Sequence, residues 1–242
     1  MIVFISDIHL GSRHAKAEEC YEFLCSVQPE KLYLVGDIID GWRLQKKWYW
    51  PQKHTKLLKK IVTLSQKGTE VIYVTGNHDE FLRSWAPCDV GKIKVVNRVD
   101  VEIDGKKYLV IHGDFFDYLM RSQFGQLVMK LGDTAYDSVT YINLWITRIR
   151  RWLGRDYWSL SKYLKSKAKN AANYIGNFEG EMAKYARSKG YDGIIAGHIH
   201  SACNREIEGI HYLNTGDWVE SMTAIIYDGN WKIKEWKSAE KT

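Results

Sequence analysis

Apolar runs that stop abruptly at polar residues are the dominant pattern along this chain. Ile2-Val3-Phe4-Ile5 ends in Ser6-Asp7-Ile8-His9, Leu32-Tyr33-Leu34-Val35 in Gly36-Asp37, and Val71-Ile72-Tyr73-Val74 in Thr75-Gly76-Asn77-His78-Asp79. Tyr108-Leu109-Val110-Ile111 leads into His112-Gly113-Asp114, and Gly193-Ile194-Ile195-Ala196 into Gly197-His198-Ile199-His200. Short apolar runs bounded by turn residues predict core strands, and open α/β sheets gather their chemistry just beyond the carboxyl ends of such strands. The expectation is an α/β fold in which five strand ends deliver Asp, His, Asn, His and a His pair to one side of a sheet.

The intervening segments follow a helical period. Ala15 to Val27 places Cys20, Phe23, Leu24 and Val27 on one face, and Thr55 to Gln66 repeats Leu57, Leu58, Ile61, Val62 and Leu64 before Gly68. Gly41 to Pro51 is expected as a loop whose three tryptophans, Trp42, Trp48 and Trp50, either close the core beneath it or line a cleft. Lys92 to Ile111 has the pattern of a hairpin turning at Asp104-Gly105. From 115 to 181 strand character vanishes, which predicts a helical insertion acting as a lid, with 1–114 and 182–242 forming the core. Short strands around Arg205 to Glu208, His211 to Asn214, Thr223 to Tyr227 and Trp231 to Trp236 close the chain.

Composition narrows the class. The 242 residues are 45% hydrophobic, enough for one α/β domain with a lid. Strand one begins at the first residues and no apolar run reaches membrane-spanning length, so the expectation is a soluble, cytoplasmic protein without a signal peptide. Cys20, Cys25, Cys88 and Cys203 lack zinc-knuckle spacing, and no structural disulfide is expected. Between Tyr141 and Ile175 eight Lys or Arg face one acid, Asp156, a local charge of +7 against +6 for the whole chain. That predicts a localised anionic partner.

Asp, His and Asn ligands without cysteine suit hard or borderline divalent metals. Asp37, on a central strand with two carboxylate oxygens, is the natural bridge between two ions roughly 3.5 to 4 Å apart. Burying Asp7, His9, Asp37, Asn77, His112, His198 and His200 together without an ion would be costly. Asp40 and Asp79 read as partners orienting a histidine or a loop amide, Asp114 as ligand or partner, and His14, His54 and His211 as surface or structural residues.

Taken in order, these motifs resemble the calcineurin-like metallophosphoesterase superfamily. The resemblance implies an αββα sandwich, two mixed sheets flanked by helices, with the helical lid inserted. It also implies a first metal held by Asp7, His9, Asp37 and His200 and a second by Asp37, Asn77, His112 and His198. The catalytic residues would be Asp37, Asn77 and His78, with His78 stabilising phosphoryl oxygens or protonating the leaving group. Mn is the favoured metal, and Fe, Zn or Co could occupy the same site.

Within the superfamily the sequence is most similar to the UDP-2,3-diacylglucosamine pyrophosphohydrolases of lipid A synthesis, which share the Ser-Asp-x-His-Leu start, His-Gly-Asp and the Asn214-Thr215-Gly216-Asp217-Trp218 segment. That resemblance implies cleavage of a lipid-linked nucleotide-sugar pyrophosphate, releasing UMP and a sugar 1-phosphate. The characterised branch typically carries Gly-Asn-Arg-Asp; His78 replaces that arginine, which points to a sister group acting on a related phosphoester. Trp145, Ile149 and Trp152 flanked by Arg148, Arg150 and Arg151 read as a basic amphipathic helix suited to a lipid phosphate or an anionic membrane, placing the protein peripherally on the inner face. Asn77, His78, Asp117, Arg151, Lys165 and Lys169 are the candidate substrate contacts. A phosphodiesterase or nuclease, a phosphomonoesterase and a non-catalytic binding module are the alternatives; nucleic acid is not the expected partner, and oligomeric state stays open.

Overall fold

The computed structural model of the chain describes residues 1–121 and 168–237. Among the described residues, twelve strands form two sheets. Strands β1 (Ile2–Ile5), β2 (Lys31–Val35), β3 (Glu70–Val74), β4 (Cys88–Val90), β5 (Ile93–Val96), β11 (Thr223–Tyr227) and β12 (Trp231–Glu235) make a seven-stranded sheet in the order β12-β11-β1-β2-β3-β5-β4. The second sheet, β6-β7-β8-β10-β9, contains β6 (Arg98–Ile103), β7 (Lys106–Ile111), β8 (Gly193–Ala196), β9 (Cys203–Ile207) and β10 (Ile210–Asn214). Both sheets are mixed: β1, β2, β3 and β5 run parallel, as do β7, β8 and β10, with antiparallel strands at the margins.

The strand runs are continuously apolar because both faces of each sheet are covered. Val3, Ile5, Leu32, Leu34, Val71 and Tyr73 pack outward beneath helices α1 (Ala17–Ser26) and α3 (Gln52–Gln66). Their alternates Phe4, Tyr33, Val35, Ile72 and Val74 meet Tyr108, Val110, Ile195 and Leu213 of the other sheet in a central layer. On the far side Leu109, Ile111, Ile194 and Ala196 pack under α4 (Asp114–Arg121) and α5 (Ala168–Ser188). The result is the four-layer αββα order.

Three local expectations change. The segment from Lys92 to Ile111 is not a single hairpin: β5 joins the first sheet beside β3, the chain crosses at Asn97, and only β6 and β7 pair across the Asp104-Gly105 turn. Residues Gly41–Lys46 form a short helix, α2, rather than a loop, because the Asp40 carboxylate accepts the Arg43 amide hydrogen at 3.0 Å and caps it. The strand ends converge from both sheets, not from one. Phe115, Phe116 and Phe178, within the stretch read as the insertion, are buried on the second sheet, and α5 runs unbroken through position 181.

His54 ties α3 to the loop after β1. Its ring is fully buried, and Nδ1 accepts the Gly11 amide hydrogen at 3.2 Å. Burial, with Lys53 adjacent, lowers its pKa to about 4. A histidine kept neutral in the fold contributes stability that is present above its unfolded value near 6.5 and is lost as pH falls toward 4. Thermal melts should therefore show Tm falling across that window, and His54→Gln, which keeps an acceptor for Gly11, should flatten the fall by about 2 to 4 °C.

Candidate metal centre

The polar tips emerge from the buried strands through backbone that few residues adopt. Asp7, His9, Asp37, His198 and His200 all have positive φ, between 52° and 72°. Non-glycine residues in that region cost on the order of 1 kcal/mol each and persist where the surroundings over-determine them. Here the surroundings are a lattice of loop hydrogen bonds: Asp7 N–H donates to Gly36 O at 3.0 Å, His9 N–H to Asp37 O at 2.9 Å, and Gly197 N–H to His112 O at 3.0 Å. Gly76 lies so close to the Asp37 carboxylate, and Gly197 to that of Asp7, that a Cβ at either would collide with it.

Asp37 is the focus of this arrangement. Its Oδ1 accepts the His78 amide hydrogen at 2.8 Å, while Oδ2 lies 3.2 Å from His112 Nε2 and 3.9 Å from both His9 Nε2 and His78 Nε2. Asp7 is divided in the same way. One oxygen accepts from the His198 amide at 3.0 Å and from Ser6 Oγ; the other lies 3.2 Å from His200 Nε2 and 3.8 Å from His9 Nε2. Among the described residues, three groups have ligand atoms close enough to share an ion: Asp7, His9 and His200; His9, Asp37 and His78; Asp37, His112 and His198.

The imidazoles are oriented from behind. His112 Nδ1 donates to Val35 O at 2.9 Å, which leaves the lone pair of Nε2 directed toward Asp37. His198 Nε2 is held by Asp117 at 2.9 Å, so its other nitrogen is the one free to serve the cluster. Asp40 faces His9 Nδ1 at 3.5 Å and His78 Nδ1 at 3.0 Å. Asp79 accepts from Tyr73 Oη at 2.6 Å, from the Ile38 amide at 3.0 Å and from the Gly76 amide, bracing the Asp37 and Asn77 loops; burial, with Asp37 nearby, raises its pKa to about 6. Asp114 pairs with Arg83 at 2.8 Å.

With protein atoms alone the centre is out of balance. Among the described residues, Asp7 Oδ1, His9 Nε2, Asn77 Oδ1 and His112 Nε2 are buried with no hydrogen-bond partner. Leaving such groups unpaired costs about 1 to 3 kcal/mol apiece, and divalent cations are the groups that carboxylate, amide and imidazole donors satisfy together. Burial opposes charge on the rings, yet Asp40, Asp7 and Asp37 raise His9 to about 10, and Asp37 and Asp7 raise His112 to about 10. Asp37, although buried, is held well below the usual carboxylate range by His112, His78 and His9. The donor set fits divalent metal.

All seven residues read as ligands lie at this one edge, as does His78. Asp117 touches His198. Arg151 and Lys165 lie outside the described residues, and Lys169 is described only by its place in the first turn of α5. Of the indoles, Trp42 packs on the His78 ring at 4.3 Å between centroids, Trp50 joins the core cluster under α3, and Trp48 is 73% exposed. His211 is structural, between Tyr108 Oη and Asn204.

Several supporting residues escaped the strand-end pattern. Ser6 links Asp7 to Thr215 Oγ1 at 2.6 Å. Asn214 donates to Gly197 O at 2.8 Å, and the Trp218 amide donates to Asp7 O at 3.1 Å. The Asn-Thr-Gly-Asp-Trp segment was visible as a motif, but it works through hydrogen bonds from Asn214, Thr215 and the Trp218 amide to the loops that carry Asp7 and His198, which residue type alone does not announce.

The chain aligns at 32% identity over 120 residues with the UDP-2,3-diacylglucosamine hydrolase of Porphyromonas gingivalis, covering 47% of this chain and 45% of that protein. It thus spans about half the length of that relative and of the Aliivibrio fischeri protein of the same name, where 28% identity covers 47% of each. The Neisseria meningitidis FAM18 protein of the same name aligns at 25% identity over 229 residues, 92% of each chain. A solved archaeal phosphodiesterase aligns over 97% of this chain and 98% of its own at 15% identity and a TM-score of 0.46. The family profile described as calcineurin-like phosphoesterase matches residues 1–202. Because that match runs through all five strand ends, the chain belongs to the calcineurin-like phosphoesterase family.

Proposed function

We propose that this chain is a dinuclear-metal hydrolase that cleaves the pyrophosphate of a lipid-linked nucleotide sugar, UDP-2,3-diacylglucosamine or a close relative, to UMP and a lipid-linked sugar 1-phosphate. The observation that carries the dinuclear reading is the set of orphaned buried atoms on Asp7, His9, Asn77 and His112 gathered at the strand ends that also present Asp37. Relatives bearing the UDP-2,3-diacylglucosamine hydrolase name support the substrate class.

Asp7, His9, Asp37 and His200 would hold one cation and Asp37, Asn77, His112 and His198 the other, with Mn favoured. When bound, such a pair supplies Lewis acidity to the phosphoryl oxygens and a nucleophile from water at neutral pH. The remaining tasks fall to the chain. His78, backed by Asp40 at 3.0 Å, directs Nε2 toward the centre, where it donates to a phosphoryl oxygen or to the departing sugar-phosphate oxygen. Trp42 covers the other side of that ring and limits its rotation. Asp117 fixes His198. Arg151, Lys165 and Lys169 are proposed to grip the anionic part of the substrate, with the 115–181 insertion as the lid and the protein peripheral to the cytoplasmic membrane face. Among the described residues no helix is long and apolar enough to cross a membrane.

Asp37→Ala should lose metal binding and turnover together, by more than the roughly 100-fold typical of an orienting partner alone; calorimetric Mn²⁺ titration beside UMP release measures both, and a fully active variant would refute the dinuclear assignment. Metal must displace protons from His9 and His112, so apparent affinity should rise between about pH 6 and pH 9, by up to about tenfold per pH unit for each proton displaced. The metal-free protein should do the opposite. Histidines raised to about 10 contribute stability that is full below about 6.5 and is lost as pH rises through 10, so apo Tm falls where metal affinity climbs. Arg151→Ala or Lys165→Ala should raise KM for the lipid substrate several-fold while sparing a small chromogenic phosphodiester, about equal losses on both arguing against a substrate-gripping lid.

A further inference from the structure

The stretch between β2 and β3 carries a charge that the metal site does not use. From Gly41 to Thr69 there are eight Lys or Arg and no acid. The half of this stretch nearest the centre, Gly41 to Lys53, contains Arg43, Lys46, Lys47 and Lys53 together with Trp42, Trp48, Tyr49 and Trp50. It leaves the carboxyl end of β2, and the Glu80–Leu82 turn leaves that of the neighbouring parallel strand β3. The two segments are joined: Gly41 N–H donates to His78 O at 2.9 Å, Trp42 Nε1 donates to Glu80 Oε1 at 3.0 Å, and Gly41 packs against the Phe81 ring.

This rim exposes what soluble surfaces usually hide. Trp48 is 73%, Trp85 74% and Phe81 44% exposed. Trp50 anchors the rim through a hydrogen bond from Nε1 to Thr55 Oγ1 at 3.0 Å and core contacts, and Trp48 stands beside it at 6.1 Å between ring centroids. The rim acids are already engaged. Asp40 faces Arg43, His9 and His78, and Glu80 accepts from Trp42. Amphipathic indoles among basic side chains favour the headgroup level of an anionic bilayer, where the rings reach the acyl boundary and the cations meet lipid phosphate.

We propose that this rim, Trp48, Phe81 and Trp85 with Lys47 and Lys53, seats the enzyme on an anionic lipid bilayer with the mouth of the metal centre toward the membrane. The surface is distinct from the insertion. The inference deepens the proposed function, because it supplies the face through which a lipid-linked substrate is presented, and it rests on that reading for its purpose but not for its test.

The test is co-sedimentation of the full chain with phosphatidylglycerol–phosphatidylcholine vesicles and with phosphatidylcholine vesicles alone. The expected result is binding to the anionic vesicles. Lys47→Gln with Lys53→Gln should weaken it about thirtyfold, and Trp48→Ala with Trp85→Ala about tenfold, while both variants hydrolyse a soluble phosphodiester at the unaltered rate. Unchanged vesicle binding in both variants would overturn the assignment, as would equal capture by uncharged vesicles. Retention on heparin that is lost in the lysine variant, without vesicle binding, would overturn it in favour of a polyanion site. Hydrolysis of the UDP-lipid in detergent without any vesicle binding would sink the surface and leave the substrate reading standing; vesicle binding without that hydrolysis would do the reverse.

Discussion

The structure depends on one buried carboxylate shared by several imidazoles. Asp37 Oδ2 lies within 3.2 to 3.9 Å of His112, His9 and His78, residues that arrive from three different strands and from both sheets. In a low-dielectric interior such a group is untenable alone, and each histidine near it is untenable unless compensated. The left-handed turns at Asp7, His9, Asp37, His198 and His200, the close approach of Gly76 and Gly197, and the carboxylates of Asp40, Asp79 and Asp117 all act to hold that one concentration of charge in place. Strained backbone is retained here because the polar tips must turn inward immediately after the last apolar residue of each strand.

How much of this was legible in the sequence follows from the kind of signal each feature leaves. The five strands and their polar ends were readable because burial on both faces forces uninterrupted apolar runs, and a run that stops at Gly-Asp or Gly-Asn-His is conspicuous. Two sheets followed from the family resemblance, but which strands belong to which sheet did not follow from the residue pattern. Ile93–Val96 and Arg98–Ile103 look like one strand in sequence, and only the crossing at Asn97 sends them to different layers. Helix α2 was hidden because Trp42 and the tryptophans that follow it mark a surface loop as readily as a six-residue helix capped by Asp40.

Charge was the least faithfully read. The excess in 141–175 is conspicuous against a whole-chain value of +6. A sum conceals pattern: the acid-free stretch from Gly41 to Thr69 is balanced elsewhere by acids such as Glu18, Glu19 and Glu22 on α1. Of its lysines, Lys56 meets Glu18 at 2.6 Å. Orienting residues were legible only in part. Asp40 and Asp79 stood next to the motifs and were read as partners, whereas Asn214 and Trp218 reach the centre from far along the chain through a side-chain amide and a backbone amide, and Ser6, although beside Asp7, acts through a hydroxyl that the ligand pattern does not single out.

Because Asp7, Asp37 and Asn77 come from the seven-stranded sheet and His112, His198 and His200 from the five-stranded one, any cation pair gathered there is a cross-brace between the two halves of the sandwich. The last of these residues, His200, lies far beyond the first four strands in chain order. Cations held there would add a second tie between layers that already share one apolar interior, so that occupancy of the centre and cohesion of the two halves are coupled.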